Sequence, residues 1–206
     1  DLYAANADGN YIGFMGATSW EGFYLQEADG TVWHTAKSGS TATPFFLTTD
    51  AAEGTWDLWF PGQSGSYYTN VNTTKKLWTA LWMPTLNVSG IDGGITMEYK
   101  RDKNQWQGIF TATGAGTINI QMNGTGKLYD NTSVSGADNS IDDTKAKDTS
   151  FAFSGSANEL TFNTGTNVSA GNITVNVPVA GECTLIIDLN DPQAWKVEVM
   201  EGGSVE

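Results

Sequence analysis

The stretch Trp20-Glu21-Gly22-Phe23-Tyr24, followed by Gly30-Thr31-Val32-Trp33, decides how the chain is organised, because its pattern returns once. It returns as Trp106-Gln107-Gly108-Ile109-Phe110 followed by Gly116-Thr117-Ile118-Asn119, with each matched residue 86 positions later. Each copy reads as a short aromatic strand, a turn and an alternating strand. A repeat with so long a period indicates duplicated domains rather than a solenoid.

A second block recurs at a larger offset. Pro61 and Trp78 return as Pro178 and Trp195, each 117 positions later. The increase from 86 to 117 predicts that the second copy contains 31 additional residues in its middle. That span includes a polar stretch rich in Asp, Asn, Ser and Thr, so we predict an inserted segment there.

The predicted fold is all-β. Short apolar runs alternate with polar residues and are broken by 24 glycines, and no stretch has the periodicity of an amphipathic helix. We predict two tandem antiparallel β-sandwich domains of the immunoglobulin-like kind, related by duplication. The predicted domains are 1–90 and 91–206, and the second carries the polar insertion around 130–160.

Composition excludes several classes of protein. The net charge of −13 repels nucleic acid and anionic membrane surfaces, so neither is expected as a partner. The single cysteine, Cys183, excludes an internal disulfide and a cysteine-built metal site, and its apolar surroundings favour a buried position. The single histidine, His34, excludes a zinc site with several histidine ligands. We expect no cofactor and no metal.

The two copies predict which side chains face water. In the second copy the apolar residues Ile118, Ile120 and Met122 alternate with polar ones, so Asn119 faces out, and the matched Trp33 should do the same. By the same comparison Trp59 takes the place of an outward Asn176. The candidate ligand-binding residues on this surface are Trp33, Trp59, Tyr68, Asp57, Asn70 and Lys75.

Solvent-facing indole rings need an explanation, because each exposes a large apolar surface. A sugar ring can pack its C–H groups on such a ring. The alternatives are a protein interface with another domain or subunit, and a core covered by a loop. The remaining tryptophans are expected in the core: Trp20, Trp56, Trp78, Trp82, Trp106 and Trp195.

The sequence gives less support to a catalytic function than to a binding function. Glycoside hydrolysis needs two carboxylates across a cleft, and Glu21 with Asp57 is the only pair to test. His34 would be the base of a Ser-His-Asp triad, but the repeat pairs it with the core-facing Ile120, which favours a buried histidine. The spacing of the aspartates in the polar segment matches no calcium-binding loop, so a solvated acidic loop is favoured there. A calcium site is the alternative. Its donors would be Asp138, Asp142, Asp143 and Asp148.

Three features of the chain resemble the SusE/SusF group of starch-utilisation outer-membrane proteins of gut Bacteroidetes. They are the opening Leu2-Tyr3 that runs into Asn6-Ala7-Asp8-Gly9, the Trp-x-Gly-aromatic strand with its Gly-led partner, and the closing hairpin. That hairpin is Cys183-Thr184-Leu185-Ile186-Ile187-Asp188-Leu189 followed by Trp195-Lys196-Val197.

The resemblance implies a surface lipoprotein of the outer membrane, built from non-catalytic domains like carbohydrate-binding modules. Such a protein would hold polysaccharide or oligosaccharide near a SusC/SusD-like uptake complex. It would be attached only through an N-terminal lipid anchor removed from this sequence, and we expect a monomer. One alternative is a structural or protein-interaction accessory lipoprotein with a non-sugar ligand. A β-sandwich glycoside hydrolase or lyase is the less favoured alternative.

Overall fold

The computed structural model describes residues 2–4, 8–136 and 140–203. Their regular structure is strand, apart from two single turns of 3-10 helix at Arg101–Lys103 and Asp143–Lys145. The predicted all-β class is therefore confirmed. None of the helical segments in these ranges is long or apolar enough to cross a bilayer. Asn6 and Ala7 of the Leu-Tyr opening and Asp138 of the acidic stretch lie outside the described residues.

The first half of the chain contains short strands separated by tight turns. They are β1 (Tyr3–Ala4), β2 (Asn10–Ala17), β3 (Gly22–Phe23), β4 (Leu25–Gln26), β5 (Val32–Ser38), β6 (Thr41–Thr48), β7 (Leu58–Trp59), β8 (Gly65–Asn72) and β9 (Leu77–Met83).

One compact unit, which we call the N-terminal unit, consists of residues 2–82 and 127–147. Its sheet has the order β1-β2-β8-β9, and β9 also pairs with β6, which is followed by β5 and β4. Strands β3 and β7 pair separately as a two-stranded ribbon. In β8, Tyr67, Thr69 and Val71 are buried, as the alternation predicted.

Residues 130–147, which we call the strap, were expected in the second domain, but they pack with the first. Ile141 is buried in the same core cluster as Phe45 and Trp78, and Val134 and Ala146 pack against that core. An ion pair joins the two ends of the strap, with Nζ of Lys147 2.5 Å from Oδ2 of Asp130. A few apolar side chains are thus enough to attach a polar segment to the earlier unit.

The second half contains longer strands. They are β10 (Asn87–Ser89), β11 (Glu98–Lys100), β12 (Gln105–Ala112), β13 (Gly116–Tyr129), β14 (Lys147–Ser156), β15 (Glu159–Gly165), β16 (Ile173–Val177), β17 (Gly181–Asp188) and β18 (Lys196–Glu201).

The C-terminal unit, residues 83–126 and 148–206, is a sandwich of two antiparallel sheets. In one sheet β13 pairs with β10 and β16, and β14 pairs with β15. The other sheet has the order β11-β12-β17-β18. The predicted inward residues are confirmed as buried: Ile120, Met122, Ile173, Val175, Val177, Cys183, Leu185 and Ile187.

The repeated motif occupies different backbone settings in the two units. Trp106 lies inside the eight-residue strand β12 and is buried. Trp20 instead lies in a turn with a φ of 58°, just before the two-residue strand β3. Because strand alternation begins only after a turn ends, the side chain of Trp106 does not predict the direction of Trp20. The expected burial of Trp20 is wrong for this reason.

Candidate functional site

The clearest concentration of exposed aromatic surface lies on the ribbon of β3 and β7. Gly22 pairs with Trp59 and Phe23 pairs with Leu58, and the backbone N–H of Phe60 donates to the carbonyl of Glu21 at 2.9 Å. Leu58 and Phe60 are buried, and Phe23 stacks on Phe60, so these residues form the inner face of the ribbon. Gly22 and Trp59 therefore belong to the opposite, outer face.

The outer face brings together three aromatic or acidic side chains around a glycine. By the same alternation Tyr24 and Asp57 share this face with Trp59. Tyr24 is 60 % exposed, and Asp57 is exposed as well. Trp59 packs partly against the core and leaves the rest of its ring accessible. We call this set, Gly22, Tyr24, Asp57 and Trp59, the ribbon face.

Gly22 keeps the ribbon face open. A methyl group at this position would lie 3.7 Å from Oδ2 of Asp57, so the carboxylate borders the space that a side chain would fill. Directly opposed residues of an antiparallel pair have Cβ atoms only about 5 Å apart. A larger residue at position 22 would therefore cover Trp59, whereas glycine leaves ring and carboxylate accessible to a ligand.

Trp20 adds a second exposed indole at the end of the ribbon. Its backbone N–H donates to the carbonyl of Pro61 at 3.1 Å, and a methyl group on Gly62 would come within 2.8 Å of its Cζ2 atom. The ring therefore lies against Gly62, where only a glycine fits, while 52 % of the residue stays exposed. An indole held by the backbone and half exposed can bind a ligand without a large loss of side-chain entropy.

The prediction that Trp33 faces solvent is wrong. Only 8 % of Trp33 is exposed, it belongs to the N-terminal core, and it pairs with Leu25 across β4 and β5. Its indole N–H donates to Oε1 of Glu27 at 2.7 Å. Burial removes a large apolar surface from water while Glu27 satisfies the one polar atom, so the inward position is stable. Thr35, two residues further along the strand, is also buried, whereas the intervening His34 is half-buried.

Three other predicted residues lie outside the ribbon. Tyr68 and Asn70 are half-buried in β8, where Tyr68 packs on Phe14 with ring centroids 5.2 Å apart. Burial raises the pKa of Tyr68 above its ordinary value of 10.0. Lys75 is exposed in the turn after β8, and its backbone N–H donates to Oδ1 of Asn72 at 2.7 Å. Of the six predicted site residues, the ribbon face therefore contains Asp57 and Trp59.

The remaining tryptophans divide between core and surface. Trp78, Trp106 and Trp195 are buried as predicted, and Trp82 is half-buried with its indole N–H donating to the carbonyl of Ser64 at 3.1 Å. The prediction that Trp56 is buried is wrong, because 41 % of it is exposed. Trp56 lies just before β7, outside a regular strand, and is joined to β5 by an isolated bridge to Thr35.

The two catalytic alternatives lack the geometry that they need. Glu21 is opposite Phe60, on the inner side of the ribbon, and its Oε2 accepts from the backbone N–H of Thr18 at 2.7 Å. Asp57 lies on the other side, so these carboxylates do not flank a common cleft as glycoside hydrolysis requires. Nδ1 of His34 has no hydrogen-bond partner among the described residues, whereas a triad histidine is oriented by a carboxylate at this atom.

The described acidic residues of the strap, Asp130, Asp142 and Asp143, have structural partners. Asp142 accepts from the hydroxyl of Thr144 at 2.6 Å and from the backbone N–H of Thr144 at 3.0 Å, and these two hydrogen bonds lower its pKa. The second bond also caps the 3-10 turn. Oδ1 of Asp143 accepts from the hydroxyl of Tyr129 at 2.7 Å. Within the ranges that the structure describes, no three His, Cys, Asp or Glu side chains are grouped so that they could hold a metal ion.

Fold and site together define an all-β protein of two consecutive domains, the first of which carries an exposed aromatic ribbon. Residues 87–202 match the model of the family described as domain of unknown function DUF5114, and residues 1–83 match that of DUF5111, also a domain of unknown function. Because the first match covers more than half of the chain, the chain belongs to the DUF5114 family. Neither a curated protein nor a solved structure matches it.

Proposed function

We propose that this protein is a non-catalytic glycan-binding protein and that the ribbon face, together with Trp20, holds a polysaccharide or oligosaccharide. The observation that carries the proposal is the exposure of Trp20 and Tyr24 near the half-buried Trp59, together with a glycine, Gly22, that leaves the exposed Asp57 carboxylate accessible. The ring faces offer apolar surface to the C–H groups of a sugar. The carboxylate accepts hydrogen bonds from its hydroxyl groups.

The charge of the chain narrows the ligand to neutral sugars. The chain has 23 acidic and 10 basic residues, and Asp57 adds a negative charge to the ribbon face itself. Acidic polysaccharides, such as those built from uronic acids or sulfated sugars, would be repelled by this field. A neutral chain of hexoses or pentoses meets no such barrier.

The positions of Glu21 and Asp57 support a binding function without catalysis. Glu21 and Asp57 lie on opposite faces of the ribbon, so one of them alone faces a ligand held by Trp59. A single carboxylate can orient a sugar, but it cannot supply both the acid and the base or nucleophile of hydrolysis.

The resemblance to the SusE/SusF group supplies the cellular setting of the proposal. A lipoprotein at the outer-membrane surface would capture glycan there and pass it to a SusC/SusD-like uptake complex. The matched domain families have no described function and leave this setting open to experiment.

Affinity electrophoresis on a panel of neutral polysaccharides tests the proposal. Trp20→Ala, Tyr24→Ala and Trp59→Ala should each weaken binding by roughly tenfold, as expected for loss of a central aromatic contact. Phe46→Ala is the matched control, because Phe46 is also an exposed aromatic residue but lies in β6 opposite Leu77. Full retention of affinity by the triple variant would remove the ribbon face as the site.

The interface alternative gives a different result in the same experiment. If the ribbon face binds protein, wild type will be unretarded by every glycan, and the triple variant will change the assembly state or a pull-down of a partner protein. A glycosidase or lyase would release reducing ends or unsaturated products from the panel.

A further inference from the structure

The outer face of the sheet β11-β12-β17-β18 carries a cleft in the C-terminal unit. Two cavities open on it, of about 570 and about 350 Å³. Both are lined by Gln107, which lies between them. Cavities of this size are typical of small-ligand sites.

The pairing register identifies the side chains of the cleft. Gln107 is opposite Ile186, Ile109 is opposite Thr184, and Thr184 is in turn opposite Met200. The alternate residues of the same strands, such as Trp106 and Leu185, are buried between the sheets. The cleft residues therefore occupy the opposite face, where Ile109 and Met200 are exposed and Thr184 is buried.

Gln107 is a polar residue with only 3 % of its surface exposed, so its hydrogen bonds matter. Nε2 of Gln105 donates to Oδ2 of Asp188 at 3.1 Å, and Nε2 of Gln107 donates to Oε1 of Gln105 at 2.8 Å. An ionised carboxylate only accepts hydrogen bonds, so Asp188 fixes the direction of both amides. This leaves Oε1 of Gln107 as an acceptor.

Oε1 of Gln107 receives no hydrogen bond from the part of the chain that the structure describes. Gln107 lines both cavities, so a ligand in the cleft can donate a hydrogen bond to this oxygen. The hydroxyl of Thr184 donates to the carbonyl of Gly202 at 2.7 Å, so its oxygen is also directed as an acceptor. Ile109, Ile186 and Met200 supply apolar contacts beside these acceptors.

We infer that this cleft is a second ligand site and that it takes a neutral oligosaccharide through hydroxyl donors to Gln107. The choice of a sugar rests on the proposed function. The charged residues that line the cavities are Glu98, Glu201 and Lys103, and this excess of carboxylates, within a chain of net charge −13, disfavours anionic ligands. A peptide strand would pair with the backbone at a sheet edge, whereas Gln107 and Thr184 lie on the face of two central strands.

NMR of the 206-residue chain, labelled with ¹³C at the methionine methyl groups, reports on the cleft directly. The chain has five methionines, and Met200→Leu assigns the relevant signal. The ligands are neutral gluco-, xylo-, manno- and galacto-oligosaccharides. The Met200 signal should shift with the sugar that binds, and the shift should persist in Trp20→Ala/Tyr24→Ala, which lacks two aromatic groups of the first site.

In that double variant, Gln107→Leu should weaken the remaining affinity by roughly tenfold, because it keeps the volume and removes the acceptor. Gln121→Leu is the control, since Gln121 is an exposed glutamine of the other sheet. If Gln107→Leu fails to fold, Ile109→Lys at the exposed rim should give the same loss.

The outcomes separate this inference from the proposed function. Sugar binding without a shift of the Met200 signal would refute the cleft as a ligand site and would leave the proposal for the ribbon face unchanged. A Met200 shift in a protein whose binding is insensitive to Trp20→Ala/Tyr24→Ala supports the cleft and refutes the ribbon face. A Met200 shift with an unstructured neutral peptide instead of a sugar overturns the ligand class. Absence of binding by every sugar overturns both.

Discussion

Gly22→Val separates a binding role of the ribbon face from a structural one, because stability and affinity should change in opposite directions. The nearest atoms to a new methyl group at this position are Oδ2 of Asp57 and the carbonyl oxygen of Leu58, both at 3.7 Å, an ordinary contact distance. Gly22 also has no positive φ that a valine would have to adopt. The substitution therefore fits the folded chain.

Two terms set the size of the stability change. Replacing a strand glycine contributes about 0.5–1 kcal/mol, because glycine loses more conformational freedom on folding. A β-branched residue opposite Trp59 adds about 0.2–1 kcal/mol as a cross-strand pair. The free energy of unfolding should thus rise by about 1–2 kcal/mol, which for a chain of this size raises the Tm by roughly 2–8 °C.

Affinity should fall in the same variant, because the valine side chain covers Trp59 and borders Asp57. We expect a loss of roughly tenfold in affinity electrophoresis. Thermal unfolding followed by circular dichroism gives the stability, and Gly114→Val is the control, because nothing lies within 4 Å of a methyl group there. Unchanged affinity in a stabilised Gly22→Val protein would refute the assignment of the site. A loss of stability would refute the geometry of the ribbon.

Three further predictions concern the N-terminal unit. Ile141→Ala should destabilise it by about 2–5 kcal/mol in urea unfolding, because Ile141 fills the core from the strap, whereas the exposed Ser140→Ala should have no effect; equal stability of both would show that the strap does not support that core. Gly54→Ala should be destabilising and Gly114→Ala neutral, because a methyl group at residue 54 would lie 2.2 Å from the backbone oxygen of Thr35; a neutral Gly54→Ala would contradict the close approach of these backbones. Burial opposes ionisation of Asp130, but hydrogen bonds from Lys147 and Thr132 outweigh it and hold its pKa below the ordinary 3.8. The stability that this carboxylate contributes is present above the ordinary value and lost as the pH falls through the lower folded value, so Asp130→Asn should flatten the acid-unfolding curve below about pH 4; an identical pH dependence in wild type and variant would exclude this role.

The long strands were predictable from the sequence because each has one buried face. Tyr67, Thr69 and Val71 in β8 and Cys183 and Leu185 in β17 are buried with a period of two, although Ser66 and Thr184 on the opposite faces are buried as well. Alternation over eight residues fixes the inward set even where the partner strands are unknown, because a slip by one residue would expose every apolar side chain.

The direction of Trp33 was not predictable from its counterpart, because the comparison assumed an equal path through a turn. Trp20 has a positive φ before β3, and the two-residue strands β3 and β4 separate it from β5, whereas the matched Trp106 lies inside the continuous strand β12. A bulge or a left-handed residue changes which side a later residue faces. Such local shifts do not change the predicted fold class, but they do change which individual side chains are predicted to face solvent.

The candidate site was found in part. Asp57 and Trp59 were predicted as site residues. Trp20 was missed because it was expected in the core, and Tyr24 was not among the predicted site residues. One signal was available in the sequence: a glycine inside a strand, here Gly22, often marks a position where a ligand or another backbone approaches closely. The strap gave no signal, because Val134, Ile141 and Ala146 are too widely spaced to show a period.

The strap also determines how this protein can be divided. The match to DUF5111 ends at residue 83, yet the core of the N-terminal unit also includes Tyr129 and Ile141, which are synthesised after several strands of the C-terminal unit. A fragment that stops at the apparent junction lacks part of its own interior, so the first unit reaches its final form only after residue 147 has been synthesised. Recombination that exchanged the second half for an unrelated domain would therefore have to leave the strap with the first.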